Sequence, residues 1–294
     1  MTRLSAFLLL ALANLLWSGN WIAGRALRGA FEPVALNFWR WMVALVVLTP
    51  FALPGLRGTW PVVRRNAGIL LLLAFTGVAL FQSLVYLGLR STTAVNAVLL
   101  NSSLPLFILL CSWAIERERA SPRQVAGMLI SLAGILVILS RGDPAALWHL
   151  ELHAGDGWIL LAMPVWGIYS VLLKRRPPEL GGLQFLFVIS VAGLLMLAPV
   201  VALQAIRTPP QWPGTAAALG VLYMGVAASV LAFIFWNRGV AAVGANAAGF
   251  TIHLLPAFAT LLAISFLGET FASFHAAGIA TIVAGVLMAT WRRA

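Results

Sequence analysis

The 294-residue sequence predicts an all-α polytopic membrane protein of ten transmembrane helices, built as two five-helix repeats of inverted topology. Composition is the first observation. Hydrophobic residues make up 62% of the chain and charged residues only 9%, whereas soluble domains average roughly a quarter charged. The second is an internal echo: Leu104-Pro105, Glu118, Gly127 and Gly134 return as Leu255-Pro256, Glu269, Gly278 and Gly285, every member shifted by 151 residues. Gly88, Ala94 and Ala97 return as Gly239, Ala245 and Ala248 at the same offset. The third is parity. Each copy holds five apolar runs, and an odd number turns the second copy over in the membrane, the layout of many alternating-access transporters.

Crossing hydrocarbon takes about 20 apolar residues per helix. The first repeat, residues 1–140, supplies spans at 4–25, 34–53, 67–88, 91–115 and 122–140. A linker covers 141–154. The second repeat, 155–294, supplies 155–174, 181–204, 214–236, 239–267 and 272–291. The run from Leu4 to Leu27 is too long for a signal peptide and has no small-x-small cleavage site, so it reads as span 1. Strand periodicity is absent, and helices satisfy their own backbone hydrogen bonds in lipid. Span 9 is long for one crossing, which predicts a tilt or a kink near Pro256.

Lysine and arginine set the orientation. With the N-terminus inside, the inner segments carry 13 of the basic residues and the outer ones 5, with Arg40 inside span 2 and counted in neither. Both termini are therefore expected on the cytoplasmic side. Most of these cations read as topological anchors. The net charge of +11 does not indicate nucleic acid, because the basic residues form short clusters between apolar runs. The outer segment Arg141–Ala154 contains Trp148 and reads as a plain loop or a short interfacial helix. Cys111 falls within an apolar run and reads as a buried, inert thiol.

The repeated residues have structural readings beside functional ones. Gly127 and Gly134, with Ser131 between them, share one helix face, as do Gly278 and Gly285. Close helix packing is the first reading and a hinge the second. Pro105 and Pro256 fall in mid-span, where irregular backbone often borders a cavity. Glu118 and Glu269 precede the last helix of each repeat, where they cap its N-terminus or form a gate contact.

Polar side chains in hydrocarbon are costly and tend to face a cavity or another helix. Span 1 offers Asn14, Trp17, Asn20 and Trp21; span 2 offers Asn37 and Arg40; span 3 offers Gln82 and Tyr86; span 4 offers Asn101. The second repeat offers Trp166, Tyr169, Trp236, Asn237, Asn246 and His253. From these, Trp17, Asn20, Trp21, Arg40, Tyr86, Asn101, Trp166, Tyr169, Asn246 and His253 form the expected substrate-binding set. Amides, indoles and an imidazole suit a zwitterionic or amphipathic solute. Arg40 reads either as a carboxylate partner or as a cation that snorkels or pairs with another helix. His253 reads as a proton-responsive group or as a neutral hydrogen-bonded one.

The absences narrow the field. No carboxylate lies clearly inside a span, which disfavours a carboxylate proton relay or a sodium cage. There is no Walker motif, no metal-ligand cluster and no nucleophile with a base, so neither an ATPase, a metal site nor an enzyme is expected and no cofactor is implied. The sequence assigns no oligomeric state.

The Pro–Glu–Gly–Gly pattern of each copy, together with ten spans, resembles the EamA family of the drug/metabolite transporter superfamily, over about 4–140 and 155–291. The opening Asn14-Leu-Leu-Trp17-Ser-Gly-Asn20 is similar to the start of such proteins. More narrowly, the chain resembles the bacterial YddG-type amino-acid exporters. The resemblance implies an inner-membrane exporter with a central cavity drawn from both repeats, neutral and aromatic amino acids as cargo, and membrane lipids as surroundings. The departures from symmetry are where cargo choice is expected: Trp17, Arg40 and Asn101 in one repeat, Asn246 and His253 in the other.

Overall fold

The computed structural model describes residues 1–207, 213–267 and 271–290. Among the described residues, ten helices are long and apolar enough to cross a membrane. Spans 1 to 5 are Arg3–Ala26, Pro33–Leu56, Ala67–Ser91, Val95–Glu116 and Pro122–Leu139. Spans 6, 7, 8 and 10 are Ala154–Arg175, Gly182–Arg207, Thr215–Val243 and Ser273–Thr290. Span 9 runs as Ala245–Phe250, a 3-10 turn Thr251–His253, and Leu254–Leu267. The near face is the one at which span 1 begins, on the side of the N-terminus.

Two expected boundaries move. Span 8 continues to Val243, and span 9 starts at Ala245 rather than 239. The break is Gly244, whose φ of +86° is a conformation open to glycine and strained for other residues. A continuous apolar run hid that turn. Span 4 starts at Val95 rather than 91, because Thr92 and Thr93 are extended and the Thr93 hydroxyl caps the next helix by accepting from Asn96 N. The Arg57–Asn66 loop is itself structured, as a 3-10 turn Arg57–Thr59 and a helix Trp60–Arg65. The Arg141–Ala154 segment contains a 3-10 helix Pro144–His149, with Trp148 89% exposed.

Spans 4 and 9 break at equivalent places. Span 4 turns at Ser102 and Ser103 before resuming at Leu104, and span 9 turns at Thr251–His253 before resuming at Leu254. Pro105 sits in the first turn of the resumed helix, where no backbone N–H is needed. The expected kink thus lies just ahead of each proline. Neighbours occupy the freed groups. His253 Nε2–H donates to the Ser102 carbonyl at 2.9 Å, and Nδ1 faces the Ser131 hydroxyl. Asn14 donates to the Thr251 hydroxyl at 3.1 Å.

Spans 3 and 8 are also equivalent, and both carry a π-helical segment, Phe75–Leu80 and Met224–Leu231. Such insertions release carbonyls and recur at functional sites. Span 2 serves both. Asn37 Nδ2 donates to the carbonyls of Val78 and Ala79 at 2.9 and 3.2 Å, and Arg40 reaches Ser229 Oγ at 2.7 Å. Replacing Asn37 by leucine removes those donors from a fully buried site, and the expected loss is about 1–3 kcal/mol. Thermal unfolding of the purified variant in detergent checks it.

The glycines of spans 5 and 10 meet one another. A Cβ on Gly127 would lie 2.6 Å from the Gly285 carbonyl, and one on Gly285 would lie 2.6 Å from the Gly127 carbonyl. Gly134 and Gly278 form the second reciprocal pair, at 2.7 and 2.9 Å. Position 127 opposing 285 while 134 opposes 278 makes the two helices antiparallel. Because they are repeat equivalents, the repeats themselves run in opposite directions. These glycine faces are occupied within one chain.

The two glutamates need separate treatment. Ser121, not Glu118, caps span 5, in a reciprocal capping box with Gln124. Glu118 instead accepts from Ser112 Oγ and Lys174 Nζ, each at 3.2 Å, and so ties span 4 to span 6. The serine three residues before a glutamine was the signal for the true cap. Glu269 lies outside the described residues. One carboxylate does lie buried in a span: Asp156, in the first turn of span 6, accepts from the Thr92 hydroxyl, Asn96 Nδ2 and the backbone of His153. It is a satisfied cap at the helix end rather than a mid-membrane charge.

Candidate substrate pocket

A pocket in the middle of the bundle is lined by Trp17, Asn20, Trp21, Phe81, Gln82, Asn101, Leu104, Trp166, Phe233, Ile252 and Leu255. The broken helices and the π-segments put these residues there. Leu104 and Leu255 open the resumed halves of spans 4 and 9, while Phe81, Gln82 and Phe233 follow directly on the π-segments. Three lining pairs obey the 151-residue offset: Gln82 with Phe233, Asn101 with Ile252, and Leu104 with Leu255. The pocket therefore sits on the relation between the repeats.

Its two walls differ in that only the first repeat's carries amides, among Trp17, Trp21, Phe81 and Leu104. In the first two pairs, the first repeat supplies an amide and the second an apolar side chain. Asn20 adds a third amide on the first wall. Trp166, Phe233, Ile252 and Leu255 make the second wall apolar. This is an amphipathic site within a pseudo-symmetric frame.

Aromatic rings close the pocket toward the near face. Trp17 meets Trp166 edge-on with centroids 5.2 Å apart and lies 5.3 Å from Trp236. Trp166 also packs against Phe81, Tyr169 and Phe233 at 4.7, 5.1 and 5.6 Å. The Tyr169 hydroxyl donates to Asn237 Oδ1 at 3.0 Å. On the far side of that bond lies a second cavity of about 310 Å³, bordered by Glu116, Glu118, Ser170, Lys174, Asn237, Val240 and Ala241 among others. Lys174 bridges Glu116 and Glu118 at its rim. The central pocket is contracted to about 30 Å³, room for about one water. The larger of these two cavities lies on the near-face side, and the central site must expand to hold an organic solute.

Of the ten expected binding residues, Trp17, Asn20, Trp21, Asn101 and Trp166 line the pocket. Arg40 and Tyr86 stand behind it. Arg40 is 1% exposed and does not snorkel: it donates to Tyr86 OH at 3.0 Å and to Asn20 Oδ1 at 3.3 Å. Tyr169 belongs to the ring cluster under the pocket. His253 is held between Ser131 and Ser102, and Asn246 is the second residue of span 9, one residue from the cavity-lining Ala245. In a continuous helix Asn246 and His253, seven residues apart, would share a face, but the 3-10 turn rotates that face at Thr251. Phe81, Leu104, Phe233, Ile252 and Leu255 were missed because apolar residues in a membrane helix give no polarity signal. The offset would have exposed two of them, since Leu104 and Leu255 are the residues of the repeated Leu-Pro pair.

Ten spans, inverted repeats and a pocket at their junction define a two-repeat membrane transporter. The chain belongs to the EamA-like transporter family, whose model matches residues 4–140 and 153–291. It is 29% identical to an uncharacterized transporter of Archaeoglobus fulgidus over 289 residues, covering 96% of each chain. It is 26% identical to a probable terminal-alkyne amino-acid exporter of Streptantibioticus cattleyicolor, over 95% of this chain and 91% of that one. It is likewise 26% identical to the aromatic amino acid exporter YddG of Ancylobacter novellus, over 99% and 98% of the two chains. A solved crystal structure aligns with a TM-score of 0.75 at 25% identity, covering 98% of this chain and 97% of the other.

Proposed function

We propose that the protein exports neutral amino acids, aromatic ones included, across the bacterial inner membrane by alternating access. The observation that carries this reading is a pocket whose amides all come from the first repeat, set among rings and aliphatic side chains from both repeats. An amino acid has a matching division between its charged backbone end and its side chain. The amino-acid exporters among the relatives agree with that cargo.

In this reading the near face is cytoplasmic and both termini lie inside, as the arginine and lysine bias requires. Residues 1–140 and 155–294 act as two bodies joined through 141–154. Substrate enters the near-face cavity, the Tyr169–Asn237 bond and the rings around Trp166 part, and the central site expands around it. Closure below and opening above complete the step. No covalent chemistry is involved.

The test is counterflow in vesicles holding the purified protein. Vesicles loaded with unlabelled phenylalanine, methionine, threonine or lysine are offered the labelled counterpart, with and without a proton gradient. The expected result is accumulation of label for the neutral amino acids and not for lysine. No accumulation for any of them would remove the amino-acid reading, and selective accumulation of another metabolite would replace it.

A further inference from the structure

Three polar side chains of the pocket offer donors. The Oδ1 of Asn20 is already occupied by two donors, Arg40 Nη1 at 3.3 Å and the Tyr86 hydroxyl at 3.1 Å. Rotating the amide would set its hydrogens against the guanidinium, so the NH2 is the group left for the pocket. Gln82 and Trp166 also line the pocket, and their Nε2 and Nε1 atoms are buried without a hydrogen-bond partner. Buried donors are normally satisfied, so an unmet pair beside a pocket that expands around a solute marks a place for an acceptor.

Behind these donors stands a charge with no counter-ion. Arg40 is buried within span 2, and its acceptors are the neutral Ser229 Oγ, Tyr86 OH, Asn20 Oδ1 and Ala228 carbonyl. Among the described residues no carboxylate lies within ion-pair distance of it. A buried cation without an anion is expensive, and an intramembrane ionisable group is a functional candidate by default.

We propose that the pocket binds a carboxylate, with Asn20, Gln82 and Trp166 donating to it and Arg40 acting as the positioning cation behind Asn20. The missing counter-ion of Arg40 is then the ligand. Arg40 orients the Asn20 amide and biases the site electrostatically without touching the carboxylate. The proposal deepens the amino-acid reading, and it makes the acid group rather than the ammonium group the obligatory one.

The test is binding to the purified full-length protein, read by the fluorescence of the tryptophans around the pocket. The probes are 3-phenylpropionate, which keeps the acid, and phenethylamine, which keeps the amine. The acid should bind at least 30-fold more tightly than the amine. Equal binding, tighter binding of the amine, or binding of neither overturns the proposal. Asn20→Asp is nearly isosteric and gives Arg40 an internal carboxylate. It should weaken the acid at least 30-fold while keeping the protein folded, and unchanged acid binding in the folded variant contradicts the assignment. Gln82→Leu should weaken the acid and leave the binding of the amine unaltered; an equal effect on both would reduce Gln82 to a packing role. The two readings fail separately. If phenylpropionate binds but no amino acid undergoes counterflow, the carboxylate site stands and the amino-acid cargo falls. If amino acids are transported but phenethylamine competes as well as phenylpropionate does, the cargo stands and the carboxylate site falls.

Discussion

Gly285→Leu is expected to abolish accumulation of folded protein. A Cβ at position 285 would run into the backbone nitrogen of Ser131 and approach the Gly127 carbonyl at 2.6 Å. Both obstacles are main-chain atoms of an antiparallel helix, so no rotamer change relieves them. Ordinary overpacking costs about 1–3 kcal/mol because side chains move aside. Here the helices themselves must separate, and the cost should exceed about 3 kcal/mol. In lipid, close backbone approach is what holds such a pair together, so a wider spacing forfeits the packing along the whole seam. Size-exclusion profiles and thermal unfolding of the detergent-solubilised variant measure the effect. Gly285→Leu with wild-type yield and melting temperature would show that the seam is not a tight one.

The second large effect is expected in transport, with the fold intact. The Trp17→Ala, Trp166→Ala double variant removes a ring from each wall of the pocket and the centre of the ring cluster below it. Trp166 packs on four other rings besides Trp17. Each aromatic pair contributes about 0.5–1.5 kcal/mol beyond its buried area. Losing several of these contacts with a bound aromatic side chain should lower its counterflow by at least about 30-fold, equivalent to roughly 2 kcal/mol. The decline should be smaller for threonine, whose side chain has no ring to stack. Normal counterflow of every amino acid by the folded double variant would exclude these rings from the substrate path.

How much of this was legible beforehand depended on the kind of signal. The span count and the repeat were plain, because apolar length and a constant offset are properties of sequence alone. The places where helices stop inside a continuous apolar run were not. Gly244 ends span 8 through a positive φ, and the turn at Thr251–His253 is stabilised by side chains from spans 1 and 5. Those partners are distant in sequence, and the face carrying His253 turned away from the pocket as a result. Arg40 was visible as an intramembrane cation, but its acceptors come from spans 1, 3 and 8. Only tertiary packing shows that it stands behind Asn20 instead of reaching the surface. The apolar wall of Phe233, Ile252 and Leu255 looks in sequence like any lipid-facing stretch.

Under alternating access, one pocket at the junction of the repeats communicates with the two faces in turn. In a Cys111→Ser background, single cysteines are placed at Leu104, which lines the pocket, and at Ala241, which lines the near-face cavity. The rate of reaction of each with a membrane-impermeant thiol reagent is measured from the near-face side in vesicles of known orientation, with and without a transported amino acid. Alternating access predicts that the substrate changes the Leu104→Cys rate by exposing or occluding the pocket. It also predicts that this change moves together with the Ala241→Cys rate on the near side and opposite to the rate seen by reagent on the other face. Rates at Leu104→Cys that rise or fall together from both faces would contradict it.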